Sequence, residues 1–567
     1  MANSKYEYVK SFEVQDEIML PNIIVVRVDG RDFNRFSEVH EFEKPNDERA
    51  LNLMNACAFA VLEEFPDIIF AYGFSDEYSF IFKKDTKFYQ RRASKINSLV
   101  VSFFTSVYVT KWKEFSLQKD LMFHPSFKSR VICCATMEVL QTYILWRQRA
   151  CHLENLFNTC FWKLIGCGKS QKEAKEMLEG TQKQEKNEIL FQQFGVNYKD
   201  LPSIFRQGSC AFKTEVEDIV KYKENGAPVK RLRKKITLTH SENVAGRSFW
   251  NVHPCLCKEL GHFEGDISKI NPEYIKSFQF ENNLMPSTWI VIRVDGCHFH
   301  RFSEVHEFEK PNDEHALNLM NSCAVAVVEE FNDVVFSYGV SDEYSFVLKK
   351  NSCFYERHAS EIVSAIVSFF SSVYVMKWKL YFAQKEMKYP PYFDGRAVCY
   401  PSIDILQDYL AWRQVDCHIN NQYNTCFWML VKSGKSKSEA QNCLKEWRKL
   451  TRPHAWHRNK VSKWNINWNA KMLEGNIIGY TKPYCIQGTQ TQEKNGLLSC
   501  QFGIDYNTLP TMFRQGSSVF WDKESKTLLS NDEVVEKFRK KIVVEHCNII
   551  EKSFWKAHPS ILEEDNR

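Results

Sequence analysis

Hydrophobic and polar positions along this chain switch between a strand period and a helix period. Ile23-Ile24-Val25-Val26-Arg27-Val28 is a β-branched run that stops at Asp29-Gly30, the pattern of a buried strand and its turn. From 46 to 64, Leu51, Met54, Ala58, Val61 and Leu62 recur at helical spacing, with Pro45 near the start. Residues 67–71 and 78–82 return to the strand pattern, 87–113 predict a long helix, 130–136 a fourth strand and 138–164 a further helix. The order β-α-β-β-α-β predicts an α+β, ferredoxin-like core in which strand 1 lies beside strand 3.

The whole pattern occurs twice. Residues 27–55 and 293–321 align without gaps and differ only at Arg31/Cys297, Asp32/His298, Asn34/His300 and Arg49/His315. The offset of 266 holds at Asp29/Asp295, Asp76/Asp342 and His152/His418. A period this long predicts a duplicated domain rather than a solenoid. The expected organisation is repeat 1 over 1–260, a linker over 261–273 and repeat 2 over 274–567. Repeat 2 carries an insertion, 446–487, with four tryptophans and eight Lys or Arg against two acids. It shows no sustained helix or strand period. A surface or disordered loop, retained intronic sequence and an RNA-contacting loop are its three readings.

Candidate chemistry sits where strands end. Tyr72-Gly73-Phe74-Ser75-Asp76-Glu77-Tyr78-Ser79-Phe80 sets two acids between aromatic residues, and 338–346 repeats it. If strand 1 lies beside strand 3, Asp29 approaches Asp76, and Asp295 approaches Asp342. A lone Asp-Gly or Ser-Asp-Glu turn is ordinary turn chemistry; two facing carboxylates repel unless one is protonated or a cation lies between them. Mg²⁺ suits such a donor set, taking few carboxylates and filling its shell with water and phosphate oxygens. Ser75 and the turn amides of 30–33 can hold phosphate oxygens, and Lys44 and Arg27 can offset a triphosphate.

Composition narrows the class. Of 567 residues, 44% are hydrophobic and 26% charged, ordinary for a globular protein, and a net charge of +5 is too slight to argue for nucleic acid. The 19 cysteines lack zinc spacing and are expected to be reduced thiols. No signal peptide and no membrane association are expected. The basic run 230–235 reads as a solvated face, a tRNA contact or a nuclear address.

The run DGRDFNRF, FEKPND, YGFSDEYSF and the RQ…CH..N..NT segment resembles the tRNA-histidine guanylyltransferase family, in a tandem form similar to the plant enzymes. The resemblance implies two palm domains like those of nucleic-acid polymerases, working in the reverse, 3′-to-5′ direction. It implies addition of a guanosine to the 5′ end of histidine tRNA, with ATP activating the 5′ monophosphate and the 3′-hydroxyl of GTP attacking. Carried over, the ligands of two Mg ions per active palm are Asp29, Gly30 and Asp76, and Asp295, Gly296 and Asp342; the four aspartates are catalytic. Nucleotide binding falls to Asp29, Gly30, Arg31, Asp32, Phe33, Asn34, Lys44, Ser75 and Asp76. In repeat 2 it falls to Asp295, Gly296, Cys297, His298, Phe299, His300, Lys310, Ser341 and Asp342. His152, Asn155 and Lys186, with His418, Asn420, Asn421 and Lys494, are implied in tRNA engagement or transfer. Repeat 1 departs from the family signature at Glu154 and Asn34, repeat 2 at Cys297. The implied partners are tRNA, GTP and ATP, with a homo-oligomer, a dimer of two-repeat chains, and a nuclear or cytoplasmic location. The rival readings are a non-catalytic tRNA-binding scaffold and a palm-type nucleotide cyclase.

Overall fold

The computed structural model describes residues 4–116, 119–222, 228–240, 243–244, 246–261, 277–280, 282–450, 490–530 and 533–562. In repeat 1, β1 (Ile23–Gly30) lies between β3 (Glu77–Phe82) and β4 (Phe127–Cys134), with β2 (Ile68–Phe74) beyond β3, all antiparallel. This is the predicted order. Two longer strands, β5 (Ser209–Tyr222) and β6 (Pro228–Thr239), extend it to β4-β1-β3-β2-β5-β6. Sequence reading missed this hairpin, because charged runs such as 230–235 interrupt any apolar-polar alternation along it.

The β-branched residues of β1 divide by parity. Ile24, Val26 and Val28 enter the core under α2 (Glu48–Glu64) and α3 (Ala93–Phe115), which follow the short α1 (Phe33–Val39). Ile23 and Val25 enter the core on the opposite face, under α4 (Met137–Gly166). Each of these five is fully buried, at roughly 1.5–3 kcal/mol apiece. The C-terminal half of α4 packs Leu156, Cys160 and Leu164 against α5 (Gln171–Leu178) and α6 (Lys183–Phe194). After α7 (Ser203–Gln207) and the hairpin, α8 (Arg247–Val252) and α9 (Pro254–Leu260) close the second face.

The long helix starts at Ala93, six residues later than predicted, because Tyr89, Gln90 and Arg91 take left-handed backbone (φ 44°, 55° and 58°). The buried Arg91 guanidinium holds that turn, donating to the carbonyls of Ile18 (2.8 Å), Asn22 (2.5 Å) and Thr86 (3.1 Å). The fourth strand likewise runs over Phe127–Cys134 rather than 130–136.

Repeat 2 rebuilds the plan with β7 (Trp289–Gly296), α10 (Phe299–Val305), α11 (Glu314–Glu330), β8 (Val334–Val340), β9 (Glu343–Leu348), α12 (Ala359–Tyr381), β10 (Phe393–Tyr400), α13 (Ile403–Lys432) and α14 (Lys437–Leu450). β11 (Ser517–Ser530) and β12 (Glu533–Glu545) complete the order β10-β7-β9-β8-β11-β12. The expectation of no helix in 446–487 fails at its start, since α14 runs on to Leu450; the rest of the insertion lies outside the described residues, as does nearly all of the expected linker.

The repeats meet through α3 and α12, about an approximate two-fold axis. Ser102 Oγ meets Ser371 Oγ at 2.6 Å, and Thr105 Oγ1 meets Ser368 Oγ at 2.7 Å, the same positions with the repeats exchanged. β4 and β10 are edge strands, and an open edge invites wrong pairing. Here serines of the opposite helix cap them: Phe127 and Ser129 N–H donate to Ser368 and Ser364 Oγ (2.7 and 2.9 Å), and Phe393 and Gly395 N–H to Ser102 and Ser98 Oγ (2.8 and 2.9 Å). Among the described residues α12 is the one helix long and apolar enough to cross a membrane, and 83% of its most apolar window is buried between the palms. The segments entering each repeat cross over: Val9 is buried against repeat 2 with Phe12 beside Tyr400, while Phe280 N–H donates to Val131 O at 2.8 Å.

Candidate active site

The register Asp29↔Glu77 fixes the end of β1 against the turn that opens β3. That turn is Ser75-Asp76, with Ser75 in left-handed backbone (φ 51°). Gly30 N–H donates to Asp76 O at 3.1 Å, and Ser75 Oγ donates to Asp76 Oδ1 at 3.1 Å. A Cβ on Gly30 would lie 2.7 Å from Asp76 Oδ2 and 2.5 Å from the Phe33 ring, so only glycine lets the strand end approach the carboxylate. Repeat 2 repeats the contact, with Gly296 N–H to Asp342 O at 3.0 Å and Ser341 at φ 56°.

The two acids of each turn part company by strand parity. Glu77 is buried on the α4 face, where Arg27 reaches it at 2.5 Å and Arg147 holds it in a fork, Nε and Nη2 both at 2.6 Å. Glu343 receives Arg293 at 2.8 Å and Arg413 at 2.7 Å in the same way. Glu77 and Glu343 are therefore structural anions, while Asp76 and Asp342 face the strand ends. Burial, and then the charge of Asp29, push the Asp76 carboxyl up to about 7; burial and Asp295 do the same to Asp342. Burial, then Glu343, also raises Asp295. Sequence reasoning assigned no role to Arg147 and Arg413; their signal was the Trp-Arg-Gln run that precedes the Cys-His pair by about one helical turn in both repeats.

The other predicted residues fall in several places. Around repeat 2 a cavity of ≈ 380 Å³ is lined by His300, Lys310, Ser341, Asp342, Asn420 and Asn421, among others. Lys310 Nζ donates to Ser303 Oγ at 2.6 Å, as Lys44 does to Ser37 Oγ at 2.7 Å, and burial lowers the pKa of both lysines. Asn155 is buried and clamps the Lys-Pro-Asn loop: Asn46 Nδ2 donates to Asn155 Oδ1 at 2.9 Å, and Asn155 Nδ2 to Tyr198 OH at 3.0 Å. Asn421 joins Asn312 and Tyr506 at 2.9 and 3.1 Å. His152 lines a separate cavity of ≈ 820 Å³ with Lys183, Tyr198 and Arg206, and its buried Nε2 has no partner. Burial and then Lys183 lower its pKa; burial and then Arg514 lower that of His418. Glu154 and Lys186 border a third opening, where Lys186 Nζ donates to Thr181 O and Oγ1 (2.6 and 2.7 Å). Lys494 lies 5.9 Å over the Tyr423 ring.

The turn residues divide as well. Asp32, Asn34, His298 and His300 are exposed. Phe33 and Phe299 plug the core beneath the turn, each 4.9 Å from the ring of Phe127 or Phe393. Arg31 reaches across to repeat 2: Nε donates to Ser126 Oγ at 2.9 Å, and the guanidinium pairs with Glu330 and lies 4.9 Å over the Phe331 ring. Cys297, its counterpart, accompanies a larger neighbour. Tyr392 stands where repeat 1 has Ser126, and its hydroxyl donates to Glu64 at 3.0 Å, the mirror image of the Arg31–Glu330 contact.

The oxygen donors suit a hard divalent cation. Two carboxylates and a carbonyl would leave the remaining positions of such an ion to water and phosphate oxygens, and among the described residues no group of three or more His, Cys, Asp or Glu is placed to hold a metal ion.

The family models match the chain twice, in step with the duplication. The family model described as tRNAHis guanylyltransferase matches residues 6–135 and 272–401, and the Thg1 C terminal domain matches 138–247, 404–475 and 480–551. The chain is 63% identical to tRNA(His) guanylyltransferase 1 of Arabidopsis thaliana over 562 residues, covering 99% of this chain and 91% of that one. It is 60% identical to tRNA(His) guanylyltransferase 2 of the same plant, with 99% of each covered. The crystal structure of tRNA(His) guanylyltransferase from Saccharomyces cerevisiae covers 47% of this chain and 95% of its own, at 34% identity and a TM-score of 0.34. The chain belongs to the tRNAHis guanylyltransferase family and carries both of that family's domains twice.

Proposed function

We propose that the protein is a nucleotidyltransferase that adds a guanosine to the 5′ end of histidine tRNA. The observation that carries this reading is that the registers Asp29↔Glu77 and Asp295↔Glu343 set each strand-end aspartate beside the Ser-Asp turn, near enough for its charge to raise Asp76 and Asp342, in a chain 63% identical to a tRNA(His) guanylyltransferase over nearly its whole length. In finer detail, the 5′ monophosphate attacks ATP and is adenylylated with loss of pyrophosphate, the 3′-hydroxyl of GTP then attacks that phosphate and displaces AMP, and Asp29, Gly30 and Asp76 would hold two Mg ions, as would Asp295, Gly296 and Asp342. Bound there, such ions would activate the attacking oxygen and stabilise the charge on the leaving group. The protein's own contribution is positional. The Ser75-Asp76 turn keeps the carboxylates at the strand end, the Arg27–Glu77–Arg147 network holds the turn from behind, and Lys44 and Lys310 stand ready to offset triphosphate charge. A nuclear location, supported by the exposed basic side chains of 231–235, and assembly of two chains complete the proposal.

Labelled GTP tests the reading, with and without 5′-monophosphorylated histidine tRNA. RNA-dependent label transfer is expected; RNA-independent turnover would mark a cyclase, and neither would mark a scaffold. Asp76→Ala combined with Asp342→Ala should abolish transfer with the fold intact. Unchanged turnover in that variant would overturn the two-metal assignment.

A further inference from the structure

The contact between the repeats is symmetric in backbone and serine chemistry but not in charge. Four positions of each repeat meet across the interface, two from each repeat at each of two equivalent corners. Repeat 1 supplies Glu13, Lys95, Lys128 and Arg130; at the same positions repeat 2 has Gln279, Glu361, Asp394 and Arg396. At one corner Lys95 pairs with Asp394 at 2.7 Å and Arg396 with Glu13 at 2.9 Å. At the other Arg130 Nε donates to Glu361 at 2.6 Å and Arg130 Nη1 to Gln279 at 3.1 Å, with Lys128 5.7 Å over the Tyr355 ring. Glu361 and Asp394 are buried there, about 5% and 6% exposed.

Formal charge at these positions depends on which repeats meet. In the observed pairing one corner (Lys95, Asp394, Arg396, Glu13) is neutral and the other (Glu361, Lys128, Arg130, Gln279) carries +1. Two copies of repeat 1 would bring Lys95 against Lys128 at both corners, +2 each; two copies of repeat 2 would bring Glu361 against Asp394 at both, −1 each. Like charges held together at an interface reject a partner more strongly than opposite charges add affinity. The hydroxyl contacts between α3 and α12 offer no such discrimination, because Ser102–Ser371 and Thr105–Ser368 exchange into one another under the two-fold axis.

We propose that this surface is a heterotypic docking site: a repeat 1 palm accepts a repeat 2 palm and rejects its own kind. The partner it fits is repeat 2 of the same chain. The duplication thereby fixes a one-to-one pairing and keeps the edges of β4 and β10 from pairing between chains. Arg31 and Tyr392, which leave or flank the catalytic turns to reach the opposite repeat, tie those turns to the same pairing.

Charge exchange in the full chain tests this. Glu361→Lys with Asp394→Lys makes both faces basic; Lys95→Glu with Lys128→Asp makes both acidic; all four substitutions together restore opposite signs with polarity reversed. Thermal unfolding and small-angle scattering are read on each. Both single-sign variants are expected to lose several degrees in midpoint and to expand, or to fail to fold, while the fourfold variant recovers most of the loss. The milder cycle Lys95→Ala, Asp394→Ala and their combination should show coupling in the same direction. A fourfold variant as damaged as the sum of its halves, single-sign variants indistinguishable from the natural chain, or an additive alanine cycle would each overturn the proposal.

Discussion

At the scale of single residues, the acidic pair separates into an anion for the site and an anion for the scaffold. The folded-state carboxyls of Asp76 and Asp342 titrate near 7, above the ordinary value of 3.8. A carboxyl whose pKa is raised by folding favours the folded state while protonated. Its contribution is complete below about 4 and is lost as pH rises to about 7. Cation-free protein should therefore lose stability between those limits. Mg²⁺ should return it, with a larger rise in midpoint at pH 8 than at pH 5, and Asp76→Asn with Asp342→Asn should flatten both responses. Scanning calorimetry at the two pH values with and without Mg²⁺ checks this. Equal Mg²⁺ shifts at both would refute it. Gly30→Ala is a sharper local probe: the added carbon would lie within 2.7 Å of Asp76 Oδ2 and 2.5 Å of the Phe33 ring. With Asp342→Ala silencing repeat 2, Gly30→Ala should remove the remaining transfer.

At the scale of elements, one buried asparagine holds the loop that carries Lys44, the lysine proposed to offset triphosphate charge. Asn155 on α4 is bonded to Asn46, two residues from Lys44, and to Tyr198. Asn155→Ala strands a donor and an acceptor, at a cost of about 1–3 kcal/mol each where they stay dry. Chemical denaturation should show that loss, and the KM for GTP should rise more than kcat falls. The core strands were legible in sequence because Ile24, Val26 and Val28 alternate with Ile23 and Val25 onto two apolar faces, and the approach of Asp29 to Asp76 followed from strand order alone. The β5–β6 hairpin was not legible: strand formation there rests on pairing with β2, a long-range contact, rather than on local hydrophobic pattern. Nor was the fate of Arg31, whose partner Glu330 lies 299 residues away in the other repeat. The helical extension of α14 was hidden too, and it moves the boundary for a deletion experiment. Removing 451–487, rather than 446–487, should leave the fold intact, since loop closure changes by only about 0.6 kcal/mol per doubling of length. Loss of the cooperative transition on deletion would show that this segment belongs to the core.

At the scale of the whole molecule, two palms share one interface but differ in the side chains around it and along their long helices. Each keeps its facing aspartates, its turn serine and its lysine, so both are expected to bind nucleotide. They differ along α4 and α13, where Glu154 of repeat 1 stands at the position of Asn420. Asn420 lines the cavity that also holds Lys310 and Asp342. Glu154 borders an opening with Lys183 and Lys186, where a carboxylate opposes the approach of an RNA backbone bearing a charge at every phosphate. Repeat 2 should therefore carry more of the tRNA engagement. His418→Ala is expected to impair tRNA-dependent transfer more than His152→Ala, with GTP affinity little changed in either. Glu154→Asn should strengthen tRNA binding, most clearly at low salt, where repulsion is least screened. Cys297 does not weigh against repeat 2, because Tyr392 replaces the reach of Arg31 across the interface. Filter binding of labelled histidine tRNA at two salt concentrations, beside single-turnover transfer, separates the contributions. A larger defect in His152→Ala, or tighter binding by Glu154→Asn that is insensitive to salt, would reverse the assignment.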